Sequence, residues 1–170
     1  MSRVLAVLGA IALVAVSAAP VLAGGKPAKA SDGSLPPVIY PAGDVCDFDL
    51  LYEDILNTSH SLRFPAADNG TERVLLGGRI VVRLTNMDTD TSRVYNASGP
   101  GTFIFGDTLT VKGHGPWLLT FFEGDAAGPG VWYTRGHMKV EVDLDTGQII
   151  SATRPPNAID VCEQLGGHAA

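Results

Sequence analysis

The sequence predicts an all-β fold, an antiparallel barrel of about eight strands, with a β-sandwich as the alternative. Residues 138–145 alternate apolar and charged side chains, which places one face of a strand in a core and the other in water. Turn sequences rich in Gly, Pro, Asn and Asp recur at short intervals, with no room for parallel crossover helices between them. A barrel is preferred because closure removes the exposed edges of long strands.

The candidate strands follow one another between these turns. Residues 79–85 are rich in β-branched side chains, and residues 102–111 form two extended arms around a Gly106-Asp107 turn. Further strands are predicted at 118–122, 131–134 and 148–152. Turns are predicted between the strands, at 69–70, 77–78, 86–90, 99–101, 113–116, 128–130 and 145–147. The last of these turns should join two strands as a hairpin.

Helix is predicted only at the margins of the sheet. Two segments have suitable residues, around Leu51 to Leu56 and around Ile159 to Leu165, where Pro155-Pro156-Asn157 makes a plausible start. The second of these predicts a short helical C-terminal segment.

The first 23 residues are predicted to be a signal peptide. Arg3 is a basic start, Val4 to Val16 is an apolar run, and small residues at Val21 and Ala23 suit cleavage after Ala23. The alternative is an uncleaved membrane anchor, since Val4 to Ala23 is about long enough to cross a bilayer core. Cleavage implies a secreted, extracellular protein without stable membrane insertion.

A tether and a single domain would follow the leader. Residues 24–37 are rich in Gly, Pro, Ser and Lys and have no apolar period, which predicts a disordered tether. Residues 38–170 then form one β domain, expected to be a monomer. The chain has two cysteines, and export favours a disulfide between Cys46 and Cys162.

Charge and motifs exclude several classes of function. Twelve Lys and Arg against 18 Asp and Glu give a net charge of −6, which argues against nucleic acid and other polyanions as partners. Motifs for a nucleophile elbow, a zinc protease, a P-loop or a dinucleotide site are missing, so no cofactor is predicted and an enzyme is not favoured.

Two groups of polar residues could form sites. His60, His114 and His137 could converge on zinc, but His114 and His137 are interpreted as exposed loop residues, so no metal site is predicted. Five acidic residues could supply paired carboxylates, but a solvated edge that discourages aggregation explains them more simply; they are Asp44, Asp47, Asp49, Glu53 and Asp54.

Four aromatic residues are the candidate ligand-binding residues: Trp117, Phe121, Trp132 and Tyr133. Because neighbours on a strand point to opposite faces, either Trp132 or Tyr133 should face outward or into a cavity. Rings in a barrel cavity can hold a small apolar molecule, and an exposed ring can stack on a sugar. The alternative is that all four rings fill the core.

Several runs resemble a set of small secreted proteins of unknown function from high-GC actinobacteria. They are Leu84–Thr89, Asn96–Gly101, Gly113–Leu119 and Val142–Gly147. The resemblance covers most of the domain, including both cysteines, and implies no activity. In its rhythm of strands and turns the chain is also similar to the allene oxide cyclase and dirigent barrels, which are eight-stranded and contain an apolar pocket.

The function favoured by the sequence is a non-catalytic extracellular binding module for a small apolar ligand or a glycan. One alternative is a cyclase-type enzyme, which the second resemblance implies and whose pocket would act by enforcing a conformation. The other is a structural cell-surface protein.

Overall fold

The computed structural model describes residues 28–31, 33–66, 70–153 and 155–170, with the backbone alone for 28–31. The predicted signal peptide, and residues 24–27 and 32 of the predicted tether, lie outside the described residues. Twelve strands and one short helix are assigned: β1 (Ala28–Ser31), β2 (Val38–Tyr40), β3 (Leu50–Asn57), β4 (His60–Phe64), β5 (Glu72–Gly77), β6 (Ile80–Asn86), β7 (Thr91–Asn96), β8 (Gly101–Phe105), β9 (Thr108–Phe121), β10 (Gly130–Asp143), β11 (Ile149–Thr153), β12 (Ile159–Asp160) and α1 (Val161–Gln164).

The strands form two antiparallel sheets, which confirms the all-β prediction. The larger sheet has the order β1-β4-β5-β8-β9-β10-β11, with β12 beside β10, and the smaller sheet has the order β2-β3-β6-β7. Within the described residues neither order closes on itself. None of the helical segments described is both long and apolar enough to cross a membrane.

The N-terminal segment differs from the predicted tether. Residues Ala28 to Ser31 pair with β4, so this part of the predicted tether is a strand at the edge of the larger sheet. Gly33 to Pro37 then lead to β2, which is the edge strand of the smaller sheet. The segment therefore passes from one sheet to the other.

The centre of the fold is a ribbon made of β9 and β10, paired over all 14 residues of each strand. The turn predicted at 113–116 is wrong, because β9 continues through it. Gly115 and Gly136 are directly opposite in this ladder, with φ of +86° and +123°. Glycine adopts these angles without the strain that other residues suffer, so both strands can bend at one level while remaining paired.

Two hydrophobic clusters lie on the two faces of the ribbon. The first cluster lies against the smaller sheet and α1 and includes Leu50, Tyr52, Leu84, Leu118, Tyr133 and Val161. The second cluster lies within the larger sheet and includes Val74, Phe103, Val111, Trp117, Phe121 and Val140. The residues from 117 to 121 therefore pack against a core on both sides.

The remaining predictions concern turns, helices and the disulfide. The hairpin at 145–147 is confirmed: the Gly147 N–H donates to the Asp143 carbonyl oxygen at 2.8 Å. The C-terminal helix is confirmed as α1, a single turn, whereas residues 51–56 are part of β3 and not helical. The Cys46–Cys162 disulfide is confirmed.

Candidate ligand-binding cavity

The four aromatic residues predicted to bind ligand do not share one face. Trp117, Phe121 and Trp132 lie on the side of the second cluster, whereas Tyr133 belongs to the first. The exposed fractions of Trp117, Phe121 and Tyr133 are 9%, 0% and 6%, and Trp132 is half-buried. None of these four rings is an open platform for a sugar.

Trp117 is held in place by a cradle of three glycines, Gly99, Gly101 and Gly113. A Cβ atom at Gly101 would lie 2.6 Å from the indole Cζ2, and one at Gly113 would lie 2.6 Å from Nε1. A Cβ atom at Gly99 would also overlap the ring. Each position must therefore be glycine for the indole to lie flat on the backbone.

A cavity of about 40 Å³ lies beside Trp117, between the two sheets. Its apolar wall is formed by Leu35, Leu76, Ile80, Ala97, Phe103, Trp117 and Leu118. Its polar wall is formed by Tyr52, Asp54 and Asn57, all on β3. This volume holds about three water molecules at ~10–15 Å³ each, whereas sites for small organic ligands span roughly 300–1,000 Å³.

A β-bulge in β3 assembles the polar wall. Asp54 lies opposite Val82 and Leu56 lies opposite Val81, so Ile55 is an extra residue in the strand. In an unbroken strand, residues three apart point to opposite faces; the bulge places Asp54 and Asn57 on one face. Asn57 Nδ2 donates a hydrogen bond of 3.0 Å to Asp54 Oδ2.

Asp54 is the centre of the polar wall. Besides Asn57, its carboxylate accepts a hydrogen bond from the Leu35 N–H at 3.2 Å. Burial raises the pKa of Tyr52 well above its usual value, and the negative charge of Asp54 raises it further. Tyr52 therefore remains neutral beside Asp54.

Residues 33–37, which we name the strap, cover this cavity. The Leu35 side chain is part of the apolar wall, and its N–H is one of the donors to Asp54. The Gly33 carbonyl oxygen accepts a long hydrogen bond of 3.5 Å from Asn57 Nδ2. The strap thus supplies one backbone donor and one backbone acceptor to the polar pair on β3.

The acidic residues grouped together by sequence have different environments. Glu53 is 3.7 Å from Arg83 in a surface ion pair, but Asp54 is half-buried and lines the cavity, so the solvated-edge interpretation is wrong for Asp54. The alternation of Leu50, Tyr52 and Asp54 was a usable signal, because it puts a carboxylate on the core face. Asn57 was missed, since the bulge that turns it inward has no signature in the sequence.

The three histidines do not form a metal site among the described residues, where no cluster of three or more metal-ligating side chains occurs. His114 and His137 are opposite each other in the ribbon, with ring centroids 4.3 Å apart, whereas His60 lies on β4. Both ribbon histidines are exposed, but they lie within strands and not in loops. Their interpretation as loop residues is wrong because β9 and β10 continue through them.

No protein-family model, curated protein or solved structure matches the chain. The resemblances to the small secreted proteins and to the allene oxide cyclase and dirigent barrels stay predictions.

Proposed function

We propose that the protein is a non-catalytic binding module for a small, mainly apolar ligand that occupies the cavity between the two sheets. The observation that supports this most directly is the polar pair Asp54 and Asn57 at the edge of an otherwise apolar cavity. The strap satisfies this pair with its own backbone, as a ligand would.

The ligand enters by displacing the strap. When the strap lifts, Leu35 leaves the apolar wall, and the cavity gains the space that this side chain occupies. Asp54 then lacks one donor and Asn57 lacks one acceptor. A ligand that has a hydroxyl or amine next to a hydrogen-bond acceptor replaces the strap's contacts with Asp54 and Asn57. Burial of an apolar body of leucine size contributes about 1.5–3 kcal/mol to the free energy of binding.

An apolar ligand is favoured over a glycan because Trp117, Phe121 and Tyr133 are almost wholly buried. Binding is favoured over a cyclase-type enzyme because acid–base catalysis needs a group that exchanges a proton with substrate. Asp54 already accepts bonds from the Leu35 N–H and from Asn57, and the raised pKa of Tyr52 keeps its proton in place. Both groups are suited to holding a ligand in position.

Location and assembly are part of the same proposal. The Cys46–Cys162 disulfide is consistent with export, since oxidising compartments preserve such bonds. A monomer is proposed because one chain supplies the whole cavity. Two packed sheets suffice to enclose it, so closure into a barrel of about eight strands stays a separate proposal.

The proposal is tested by titrating the protein with 2-methylpropan-1-ol, 3-methylbutan-1-ol and cellohexaose while following tryptophan fluorescence. Trp117 lines the cavity, so a bound alcohol should change its emission. Leu35→Ala should bind either alcohol about tenfold more tightly than the wild type, because truncation removes the competing side chain. Cellohexaose should have no effect.

Two variants make this test specific. Leu144→Ala is the matched control, because Leu144 is 49% exposed in a turn remote from the cavity lining, and it should bind like the wild type. Ala97→Leu adds side-chain volume to the cavity wall and should abolish binding while the melting temperature shows that the fold persists. The proposal is wrong if neither alcohol changes the emission of the wild type or of Leu35→Ala.

A further inference from the structure

Five basic side chains form a ladder on the exposed face of the ribbon. Lys112 is opposite Lys139, His114 is opposite His137, and Arg135 is opposite Pro116. Directly opposed residues, and residues two apart on one strand, share a face of a sheet. All five basic residues are exposed, and we name them the basic ladder.

The basic ladder is a local positive region on a chain whose net charge is −6. The flanking strands β8 and β11 carry no charged residue, and Arg73 on β5 adds a further exposed cation two strands away. On the same face, Glu141 pairs with Lys139 at 2.6 Å, and Asp143 is placed at the far end beside Thr108. The centre of the ladder, with both histidines, therefore has no carboxylate opposite it in the ribbon.

The histidine pair forms the middle rung of the ladder. The two rings are in contact, at 4.3 Å between centroids, and Lys112 and Lys139 form the next rung. Imidazole N–H groups can donate hydrogen bonds to a carboxylate. The pair therefore adds donors between the cations of the two outer rungs.

We propose that the basic ladder docks an anionic polysaccharide, a glycan with carboxylate groups along its length. Residues two apart on a strand are about 6.5–7 Å apart, so the three rungs span roughly 13–14 Å. An extended polymer with regularly spaced charges can contact all three rungs on this open face. The inference is independent of the cavity and of its proposed ligand.

Other partners fit the ladder less well. Protein interfaces usually contain buried aromatic residues at their centre, and the ladder contains no Trp, Tyr or Phe. Single-stranded nucleic acid is held by stacking its bases on aromatic rings, whereas the two imidazoles here lie against each other. The polysaccharide needs only the charges that the ladder displays.

The test measures binding of polygalacturonate by calorimetry in dilute salt, with neutral dextran as the control polymer. We expect polygalacturonate to bind, and to be released by added salt as ion-dependent binding requires. Dextran should not bind. Absence of polygalacturonate binding in dilute salt overturns the proposal.

Paired variants locate the contact. Lys112→Gln with Arg135→Gln should weaken binding about tenfold, because each substitution removes one cation from the ladder. Arg79→Gln with Arg83→Gln changes the net charge equally, at exposed positions next to and on β6, and should bind like the wild type. Equal loss in both charge variants, or an oligonucleotide that binds the ladder as tightly as polygalacturonate, contradicts the assignment.

Discussion

The two halves of the β9–β10 ribbon differ sharply although they belong to one continuous ladder. In the covered half, residues 117–121 and 130–134, side chains on both faces are buried or half-buried. In the open half, residues 108–114 and 137–143, largely buried side chains alternate with more exposed ones. The difference arises because the smaller sheet and α1 contribute the first cluster against the covered half alone. Packing partners, and not strand pairing, divide the ribbon into core and surface.

Glycine separates these two halves. Gly115 and Gly136 allow both strands to bend where the covering layer ends, and the basic ladder has rungs on both sides of them. Such a bend lets a single pair of strands pack into the core on one side and expose most of the ladder on the other. Substitutions in each half of the ribbon and at the glycine pair test the division between a covered and an open half by their effects on stability.

The largest effect is expected from Phe121→Ala in the covered half. Phe121 is fully buried, so its truncation should lower the free energy of unfolding by about 3–5 kcal/mol. Urea unfolding followed by circular dichroism measures the loss. The exposed His114→Ala in the same strand is the control, and it should change stability by less than about 0.5 kcal/mol. Equal losses would remove the distinction between the halves.

A smaller loss is expected when the cradle of Trp117 is filled. Gly113→Ala places a methyl group 2.6 Å from Nε1 and 2.8 Å from Cε of Met138, which should cost about 1–3 kcal/mol by overpacking. Combining it with Trp117→Phe should recover part of this loss in a double-mutant cycle of urea unfolding, because the two side chains compete for one space. If the losses of the two single variants add up strictly in the double variant, the two side chains do not compete for one space, and the cradle is contradicted.

The bend itself is tested by Gly115→Ala. The nearest atom to the new methyl group would be Gly99 Cα at 3.7 Å, so the cost is one of backbone conformation. We expect about 1–2 kcal/mol, measured by urea unfolding, because φ is +86°. Gly106→Ala, where no left-handed φ is imposed and contacts are ordinary, is the matched control and should be nearly neutral. A neutral Gly115→Ala would show that the bend has another cause.

The smallest effect is expected at the turn that ends the open half. Hydrogen bonds from the Thr146 N–H and hydroxyl hold the pKa of the Asp143 carboxyl below its ordinary value. Because the folded pKa is the lower one, this stabilisation is present above the ordinary carboxyl pKa and is lost as the pH falls through the lowered one. Asp143→Ala should lower the melting temperature slightly at neutral pH and should have no effect once the pH is well below the lowered pKa. Asp145→Ala is the control; a difference that persists in acid would exclude the ionised carboxylate as its source.

The sequence predicts the open half far better than the site. Residues 138–143 alternate, and alternation identifies a half-buried strand directly. The run Gly113 to Pro116 has the composition of a turn, but its glycines bend a paired strand, which depends on the partner strand. The cavity depends on the bulge at Ile55 and on the strap, neither of which has a local signature. The basic ladder could not be predicted from the net charge, because net charge sums over the whole chain. The register of β9 and β10 places Lys112 opposite Lys139, and this pairing is not visible in the sequence.

The Cys46–Cys162 disulfide has a mechanical consequence. It joins positions separated by 116 residues, so a force that pulls on both ends of the chain passes through the bond and bypasses β3 to β12. After reduction, the enclosed segment could lengthen by roughly 400 Å at about 3.5 Å per residue. While the bond is intact, Asp54, Asn57 and Trp117 lie inside the shielded loop, but the strap lies outside it and carries the load. Tension on the N-terminal end would therefore peel the strap from the cavity while the enclosed strands stay folded.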